Sequence, residues 1–397
     1  MLYLAFKNII SKPLDTILSI LLLTLSILLA TFVLQINKQL NHHLETNSKP
    51  FDMVIGAKGS PLQLVLSSIL HIDNPTGNIS LNEVLKIGKN PLVKEIIPVS
   101  YGDNYKGYRI LGTSHSYLAA YDATLQEGEI YNKPFEAVVG NYAAKKLNLQ
   151  TGHTFESSHG LTKNGLETHN EKPFKVTGIL KPTGSIIDHL IITNLESIWH
   201  VHEHHEEHTH LEEKDEQREI TSLLVKFRNP IAALQLSRFI NKKTTMQAAF
   251  PKFEIERLMG FLGIGFRAIN SIAIVILLAA GLNIFINLIK TIRERKQELA
   301  LLRTYGANTF QLVKLVFIES LFLSLFGTIL GWFLGRISIW FFSVFTEDAY
   351  GYHFVFDAPT SKELLLVGAV VLTTFIAAIL ASLSIFKLNV SKILADA

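Results

Sequence analysis

The chain has 397 residues, of which 48% are hydrophobic and only 18% are charged, and its formal net charge is +3. Soluble domains usually carry about a quarter charged residues, so this composition indicates a membrane protein. The small net charge argues against a nucleic-acid partner, and no interleaving of basic and aromatic residues favours one. Cysteine is absent, which excludes disulfides, thiolate metal sites and cysteine nucleophiles.

Residues 14–36 form the first apolar segment, which as a helix is long enough to cross roughly 30 Å of hydrocarbon. A cleaved secretory signal would have a shorter apolar core followed by small residues, and the residues around Ile36 do not fit such a cleavage site. We therefore expect a retained transmembrane helix. Lys7 and Lys12 precede it and predict that residues 1–13, a short amphipathic segment, lie in the cytoplasm.

Residues 37–262 contain no second spanning segment and are predicted to form one large domain on the periplasmic side of the membrane. Short β-rich runs alternate there with turn residues and helical stretches, which indicates an α+β domain large enough to hold its own core. The predicted strands are 51–56, 96–99, 108–112, 136–140, 174–180 and 221–227, and the predicted helices are 141–147 and 231–241.

Three further apolar segments follow, at residues 263–289, 312–342 and 364–386. Basic residues exceed acidic ones between the first two of them, in and around residues 290–311: Lys290, Arg293, Arg295, Lys296, Arg303 and Lys314 against Glu294 and Glu298. The excess predicts a cytoplasmic segment, so residues 343–363 form a short periplasmic loop and residues 387–397 a cytoplasmic tail. The sequence thus predicts a multi-pass α-helical membrane protein with four transmembrane helices. Its large α+β extracytoplasmic domain lies between the first and second helices.

Two features stand out around the third span. Residues 293–303 interleave charges with leucines and are predicted to form an amphipathic helix that lies in water or against a partner, ended by Gly306. Within the span, Gly327, Gly331 and Gly335 recur at every fourth position. This spacing lets another helix approach closely, either within the subunit or across a dimer.

The residues of the charged segment and of the third span resemble the motifs of a known family. The run Arg293 to Ala307, RERKQELALLRTYGA, resembles the R-x-R-x-x-E-[IL]-x-x-[LM]-R-x-x-G-A motif of FtsX-like permeases of ABC transporters, including the MacB type. Glu319, Gly327 and Gly331 are similar to the E-x-x-L-L-x-x-x-G-x-x-x-G pattern of that family, and the order of helices and domain is similar too. The resemblance implies a homodimeric permease in the lipid bilayer of the bacterial inner membrane, with both termini cytoplasmic and, in some members, a periplasmic accessory protein.

The resemblance also implies that ATP is hydrolysed by a separate protein and not by this chain. The chain has no G-x-x-x-x-G-K-[ST] loop, so we expect no catalytic residues here and expect ATP and Mg²⁺ to be bound by two copies of a partner ABC ATPase. The ATPase would dock on residues 290–311, and its closure would be passed along the helices to the external domain. The residues expected to couple the two proteins are Arg293, Arg295, Glu298, Leu299, Leu302, Arg303 and Gly306.

Residues 200–210 hold six of the 15 histidines, at His200, His202, His204, His205, His208 and His210, mixed with glutamates. Imidazole is a preferred zinc ligand, and such a tract is a compositional signal of metal binding. We favour a loop that collects Zn²⁺ weakly over a loop without function or over a defined high-affinity site, because one ordered ligand set costs conformational entropy. The H-x-x-E-H match at 204–208 is expected by chance in such a composition.

The histidines favour a permease of zinc or metal-linked transport. Two alternatives stay open. One is a permease that extrudes a lipoprotein, peptide or drug, and the other is a permease that transports nothing and regulates a periplasmic partner through ATP-driven movement.

Overall fold

The computed structural model of the chain describes residues 3, 7, 10–11, 13–159, 173–203, 218–294, 296–350 and 358–386. The chain divides into two compact units, one made of Met1–Leu40 with Phe261–Ala397 and the other of Asn41–Gly260. We call them the membrane unit and the periplasmic unit.

The helices in chain order are α1 (Pro13–Ser48), α2 (Pro61–Ile69), α3 (Leu81–Gly88), α4 (His115–Ala120), α5 (Asn141–Leu147), α6 (Leu195–Glu203), α7 (Pro230–Lys243), α8 (Pro251–Glu294), α9 (Lys296–Thr304), α10 (Thr309–Tyr350) and α11 (Ser361–Phe386). Among the described residues, four helices, α1, α8, α10 and α11, are long and apolar enough to cross a membrane. Their shared core is an apolar cluster that includes Leu23, Ile284, Val316 and Ala378.

Three of the membrane helices, α1, α8 and the 42-residue α10, are longer than a bilayer requires. α1 has 36 residues and α8 has 44, which correspond to about 54 Å and about 66 Å at the helical rise. The boundary between the two units falls inside both helices, at Leu40 in α1 and at Gly260 in α8. Both connections between the units are therefore continuous helix.

The strands in chain order are β1 (Met53–Ala57), β2 (Ile79–Ser80), β3 (Val93–Tyr105), β4 (Tyr108–Thr113), β5 (Leu125–Gly128), β6 (Glu136–Val139), β7 (Thr154–Phe155), β8 (Ser158–His159), β9 (Phe174–Leu180), β10 (Ile191–Thr193), β11 (Glu219–Ile220), β12 (Ser222–Phe227) and β13 (Met246–Ala249). The main sheet has the order β13-β1-β12-β3-β4-β10-β6-β9-β5, with β7 beside β9 and β8 beside β3. β10 runs parallel to β4 and β6 runs parallel to β9, whereas the other pairs are antiparallel.

The long strand β3 joins two cores of the periplasmic unit. Its first half pairs with β12, with Ile97 opposite Leu224, and its second half pairs with β4, with Tyr101 opposite Leu111. One core lies around β1, β12 and β13 and is covered by α3 and α7, and the other lies around β6, β9 and β10. A single strand thus ties both cores to one sheet.

The predicted fold class is confirmed, and so are the six predicted strands and two predicted helices of the periplasmic unit. Every described residue of the predicted helix over residues 293–303 is helical: Arg293 and Glu294 end α8, and α9 covers Lys296–Thr304. The membrane helices also extend beyond the predicted spans: α10 continues to Tyr350 inside the predicted loop 343–363.

Candidate functional site

The segment that connects α8 to α10 contains the short helix α9 and a turn. We call it the elbow and define it as residues 296–311. Two residues after the end of α9, Gly306 adopts the left-handed conformation, with φ +94°. The Gly306 N–H donates to the Arg303 carbonyl at 3.1 Å, and the Ala307 N–H donates to the Leu302 carbonyl at 2.9 Å. This pair of bonds is the Schellman motif, in which a C-terminal glycine closes the last helical carbonyls.

The next helix begins within two residues of that motif. The Gln311 side chain accepts a hydrogen bond from the Asn308 N–H at 2.9 Å, which satisfies a backbone donor at the start of α10. The Arg303 guanidinium donates to the Thr309 hydroxyl at 2.8 Å and so ties the end of α9 to the start of α10. The turn between α9 and α10 is therefore closed by its own hydrogen bonds.

One side of the elbow exposes apolar side chains. The exposed fractions are 47% for Leu301, 38% for Leu302, 86% for Tyr305 and 73% for Phe310. Ala300 in α9 and Leu312, the residue after the elbow, are buried. An exposed apolar face on a rigid, charged turn is typical of a protein interaction surface.

The structure describes the predicted coupling residues unequally. Arg295 lies outside the described residues, and for Glu298 and Leu299 only the helical backbone of α9 is described. Arg293 is exposed at the end of α8, and Arg303 is half-buried in its bond to Thr309. Sequence reasoning omitted Tyr305 and Phe310 from the site, although two aromatic residues in a charged stretch were a visible signal.

The three glycines of α10 lie against α1. A Cβ added to Gly327 would stand 3.0 Å from the Leu23 Cβ, and one on Gly331 would stand 2.7 Å from the Thr24 carbonyl oxygen. One on Gly335 would stand 3.1 Å from the Leu28 carbonyl oxygen. The glycines therefore let α10 and α1 approach to backbone contact within one chain.

A buried ionic network joins three membrane helices. The Arg336 guanidinium on α10 is 3.3 Å from the Glu363 carboxylate on α11, and the two side chains are 4% and 1% exposed. Trp332 donates its indole N–H to Glu363 at 2.9 Å, and Gln35 on α1 donates its amide to the same carboxylate. Thr360 and Glu363 also form a capping box at the start of α11, with reciprocal bonds of 3.2 and 3.3 Å.

This network was not predicted. Its signals were an arginine inside the span 312–342 and an acidic residue directly before the span 364–386. A charged residue in an apolar helix is costly unless it is paired, so its presence indicates a structural or functional constraint.

The outer end of α1 is pinned into the periplasmic unit through Asn47, which is fully buried. Its side-chain oxygen accepts the Ile186 N–H at 2.8 Å, and its amide donates to the His43 carbonyl at 2.9 Å. The Tyr121 hydroxyl donates to the Asn47 carbonyl at 3.1 Å. The last turn of α1 is thus hydrogen-bonded to two separate parts of the sheet domain.

Behind this anchor lies a buried cluster of rings around His71. The His71 imidazole is hydrogen-bonded to the hydroxyls of Tyr101 and Tyr117, the latter at 2.8 Å, and Phe51 packs on Tyr117. Complete burial, reinforced by the nearby positive charge of Arg109, lowers the pKa of His71 to about 3. His71 is therefore neutral at physiological pH.

The histidine tract begins on α6, which carries His200 and His202, and His204, His205, His208 and His210 lie outside the described residues. The His200 ring is 2.6 Å from the Glu196 carbonyl and packs against Phe135. Among the described residues no group of three or more metal-ligating side chains comes together. Zinc binding by the tract stays a prediction.

The class of protein is now defined: a multi-pass membrane protein with an α+β domain inserted between its first two membrane helices. Two family models match, the MacB-like periplasmic core domain over residues 16–242 and the FtsX-like permease C-terminal domain over residues 270–390. The chain belongs to the FtsX/MacB-type family of ABC transporter permeases, as its motif predicted.

Two solved structures are similar to this chain. One is the periplasmic region of MacB from Actinobacillus actinomycetemcomitans, at 14% identity and a TM-score of 0.35, covering 54% of this chain and 96% of that one. The other is the extracellular domain of the noncanonic ABC-type transporter YknZ from Gram-positive bacteria, at 12% identity and a TM-score of 0.31, covering 49% and 98%. A comparison with curated proteins finds no match.

Proposed function

We propose that this permease transmits ATP-driven movement from a separate ABC ATPase, docked at the elbow, to the periplasmic unit. The proposed assembly is a permease homodimer with two ATPase copies in the bacterial inner membrane, with both termini cytoplasmic. ATP binding and hydrolysis take place in the ATPase, and this chain supplies the mechanical connection.

The observation that carries the proposal is the exposed apolar face of the elbow. Tyr305 and Phe310 stand out from a turn whose backbone is fixed by the Schellman motif and by the Arg303 bond to Thr309. A surface that is already ordered loses little conformational entropy when a partner covers it, so such a face favours stable docking. Large exposed aromatic residues are also the side chains that dominate binding energy at protein interfaces.

The path from elbow to periplasmic unit is supported by continuous elements. α10 starts in the elbow and contacts α1 backbone to backbone at Gly331, and α1 runs unbroken to its anchor at Asn47. α8 likewise runs unbroken from Pro251 to Glu294. ATP shifts the arrangement only in so far as the assembly binds it more tightly in one state than in the other.

The test is a single substitution in the elbow. ABC ATPases of the same genome are co-expressed with the chain, and ATP hydrolysis is measured in lipid nanodiscs for the complex that forms. Leu302→Asp is expected to reduce permease-dependent hydrolysis about thirtyfold, the size of one interface hot spot of about 2 kcal/mol. The matched control is Leu234→Asp, the same change at an exposed leucine of α7. Full stimulation by the Leu302 variant would refute docking at the elbow.

We also propose that the histidine tract collects Zn²⁺ on the periplasmic side and links the permease to metal handling. The support is compositional: six histidines within residues 200–210, interspersed with carboxylates. Zinc is titrated calorimetrically into the full chain in nanodiscs, with the six histidines changed to glutamine in the test variant and with His153→Gln as the control. Equal zinc binding by both variants would remove the metal link and leave peptide, lipoprotein or drug extrusion, or regulation of a periplasmic partner, as the alternatives.

A further inference from the structure

A cleft of about 980 Å³ opens in the periplasmic unit between α3 and α7. Ile87, Leu236 and Met246 line it, and all three are buried members of the core around β1, β12 and β13. Phe239 also lines the cleft and is 51% exposed. The cleft therefore has an apolar floor that continues into an aromatic side chain open to solvent.

Three lysines line the same cleft. Lys86 lies in the last turn of α3, and Lys242 and Lys243 lie in the last turn of α7. Glu83 is the one acidic residue of the lining, and none of the ion pairs among the described residues involves these lysines. Lysines at helix C-termini complement the helix dipole, but this role does not require an apolar cleft beside them. The cleft thus combines an apolar floor with an excess of positive charge that forms no ion pair within the described part of the chain.

We propose that this cleft binds a small amphipathic anion, with its apolar body on the floor and its single carboxylate or phosphate group among the three lysines. The volume lies in the range of small-molecule sites, about 300 to 1,000 Å³. Lysine stems pack along apolar surface while their ammonium groups stay free to bind an anionic head. This site is independent of the elbow and of the histidine tract.

The neighbouring strand edge argues against a peptide as the occupant. β13 is the edge strand of the main sheet, and Asn241 closes its outer side by accepting the Ala248 N–H at 2.7 Å and donating to the Ala248 carbonyl at 3.2 Å. The Met246 N–H is bonded to the Thr244 hydroxyl. Added strands need such groups free, so a peptide has no edge to extend here. A peptide helix needs apolar anchors over several turns, whereas the exposed apolar residues of this lining are Phe239 and Leu92.

The experiment is photolabelling of the full chain in nanodiscs of zwitterionic lipid. The probe is a dodecanoate that carries a photoactivatable diazirine in its tail, and labelled peptides are mapped by mass spectrometry. We expect labels on α3 and α7, competed by dodecanoate and by dodecyl phosphate but not by dodecyltrimethylammonium. If dodecanoate alone competes, the site takes carboxylates, and if both anions compete it takes either head group.

The test variant is Lys242→Gln with Lys243→Gln. It is expected to lower cleft labelling about tenfold, the equivalent of one lost charge-assisted hydrogen bond. The matched control is Lys145→Gln with Lys146→Gln, an exposed pair in the last turn of α5. Both variants change exposed residues, so equal unfolding temperatures verify the fold. Unchanged labelling in the test variant, equal competition by the cation, or competition by an acidic peptide and not by the free anions would overturn the proposal.

Discussion

The elbow and the middle of the α10 helix differ in how their charged residues are placed. At the elbow, Arg303 is half-buried, whereas neighbouring apolar side chains are exposed, with Tyr305 at 86%. Further along the same helix, Arg336 is 4% exposed and is paired with Glu363. The first arrangement leaves binding energy available to a partner, whereas the second uses its charges to hold α1, α10 and α11 together. The comparison separates the proposed docking surface from a contact that holds the helices of this chain together.

The largest effect is expected from breaking the buried network. Glu363→Ala leaves Arg336 buried without its counter-ion and removes the capping box of α11, so the free energy of unfolding should fall by about 3 to 5 kcal/mol. Glu363→Gln keeps an acceptor for Thr360 and Trp332 and should cost less. Thermal unfolding of the full chain in nanodiscs measures both. Equal stability of Glu363→Ala and the unmodified chain would show that the ion pair does not hold the helices.

The next effect concerns the close approach of α10 and α1. Gly331→Leu places a side chain where the Thr24 carbonyl oxygen is 2.7 Å from a Cβ, and backbone cannot yield as a side chain does. We expect a loss of about 3 kcal/mol, the upper end of overpacking. Gly368→Leu on α11 is the control, since nothing lies within 4 Å of its Cβ position. Similar unfolding temperatures for the two variants would contradict the packing of α10 on α1.

The next prediction concerns His71, a buried residue of the periplasmic unit that stays neutral. Because burial lowers the pKa of His71 to about 3 from its ordinary value of 6.5, the unfolded chain binds a proton below pH 6.5 that the folded chain does not bind. Stability is therefore lost as pH falls from 6.5 towards 3, by about 2 kcal/mol at pH 5. Denaturant unfolding at pH 7 and pH 5 measures the loss.

His71→Gln should flatten this pH dependence while lowering stability at both pH values, because the hydrogen bonds to Tyr101 and Tyr117 are disturbed. His153→Gln, a change at an exposed histidine, should leave the slope as it is. An unaltered slope in the His71 variant would mean that another group causes the acid sensitivity.

The smallest effect on stability is expected at the elbow. Leu302→Asp changes a side chain that is 38% exposed, so the free energy of unfolding should move by less than about 0.5 kcal/mol. The same variant is expected to lose ATPase stimulation, and this combination distinguishes a docking surface from a structural contact. A large loss of stability in this variant would show that Leu302 makes a structural contact, and the elbow would then not differ from the buried Arg336–Glu363 pair.

Local patterns of sequence were sufficient for the elements with strong local signals. The strand at Phe174–Leu180 and the helix at Asn141–Leu147 were predicted with their observed bounds. Both depend on local patterns of adjacent residues, a β-rich run in the first case and a helical stretch directly after a strand in the second. The short strands β2, β5, β7, β8, β10, β11 and β13 were missed. Strands of two to four residues carry too little periodicity to be recognised and form only because a neighbouring strand is already in place.

The sequence by itself determined the four apolar helices, the α+β insertion, the family motif and the break at Gly306, since each depends on residues close together in the chain. The tertiary structure alone decided three further points: that Gly331 faces α1 of the same chain, that Arg336 pairs with Glu363, and that Asn47 anchors α1 to Ile186. The physical reason is common to all three. A glycine spacing or a buried charge shows that a contact must be made, but the choice of partner depends on helix packing between residues far apart in sequence.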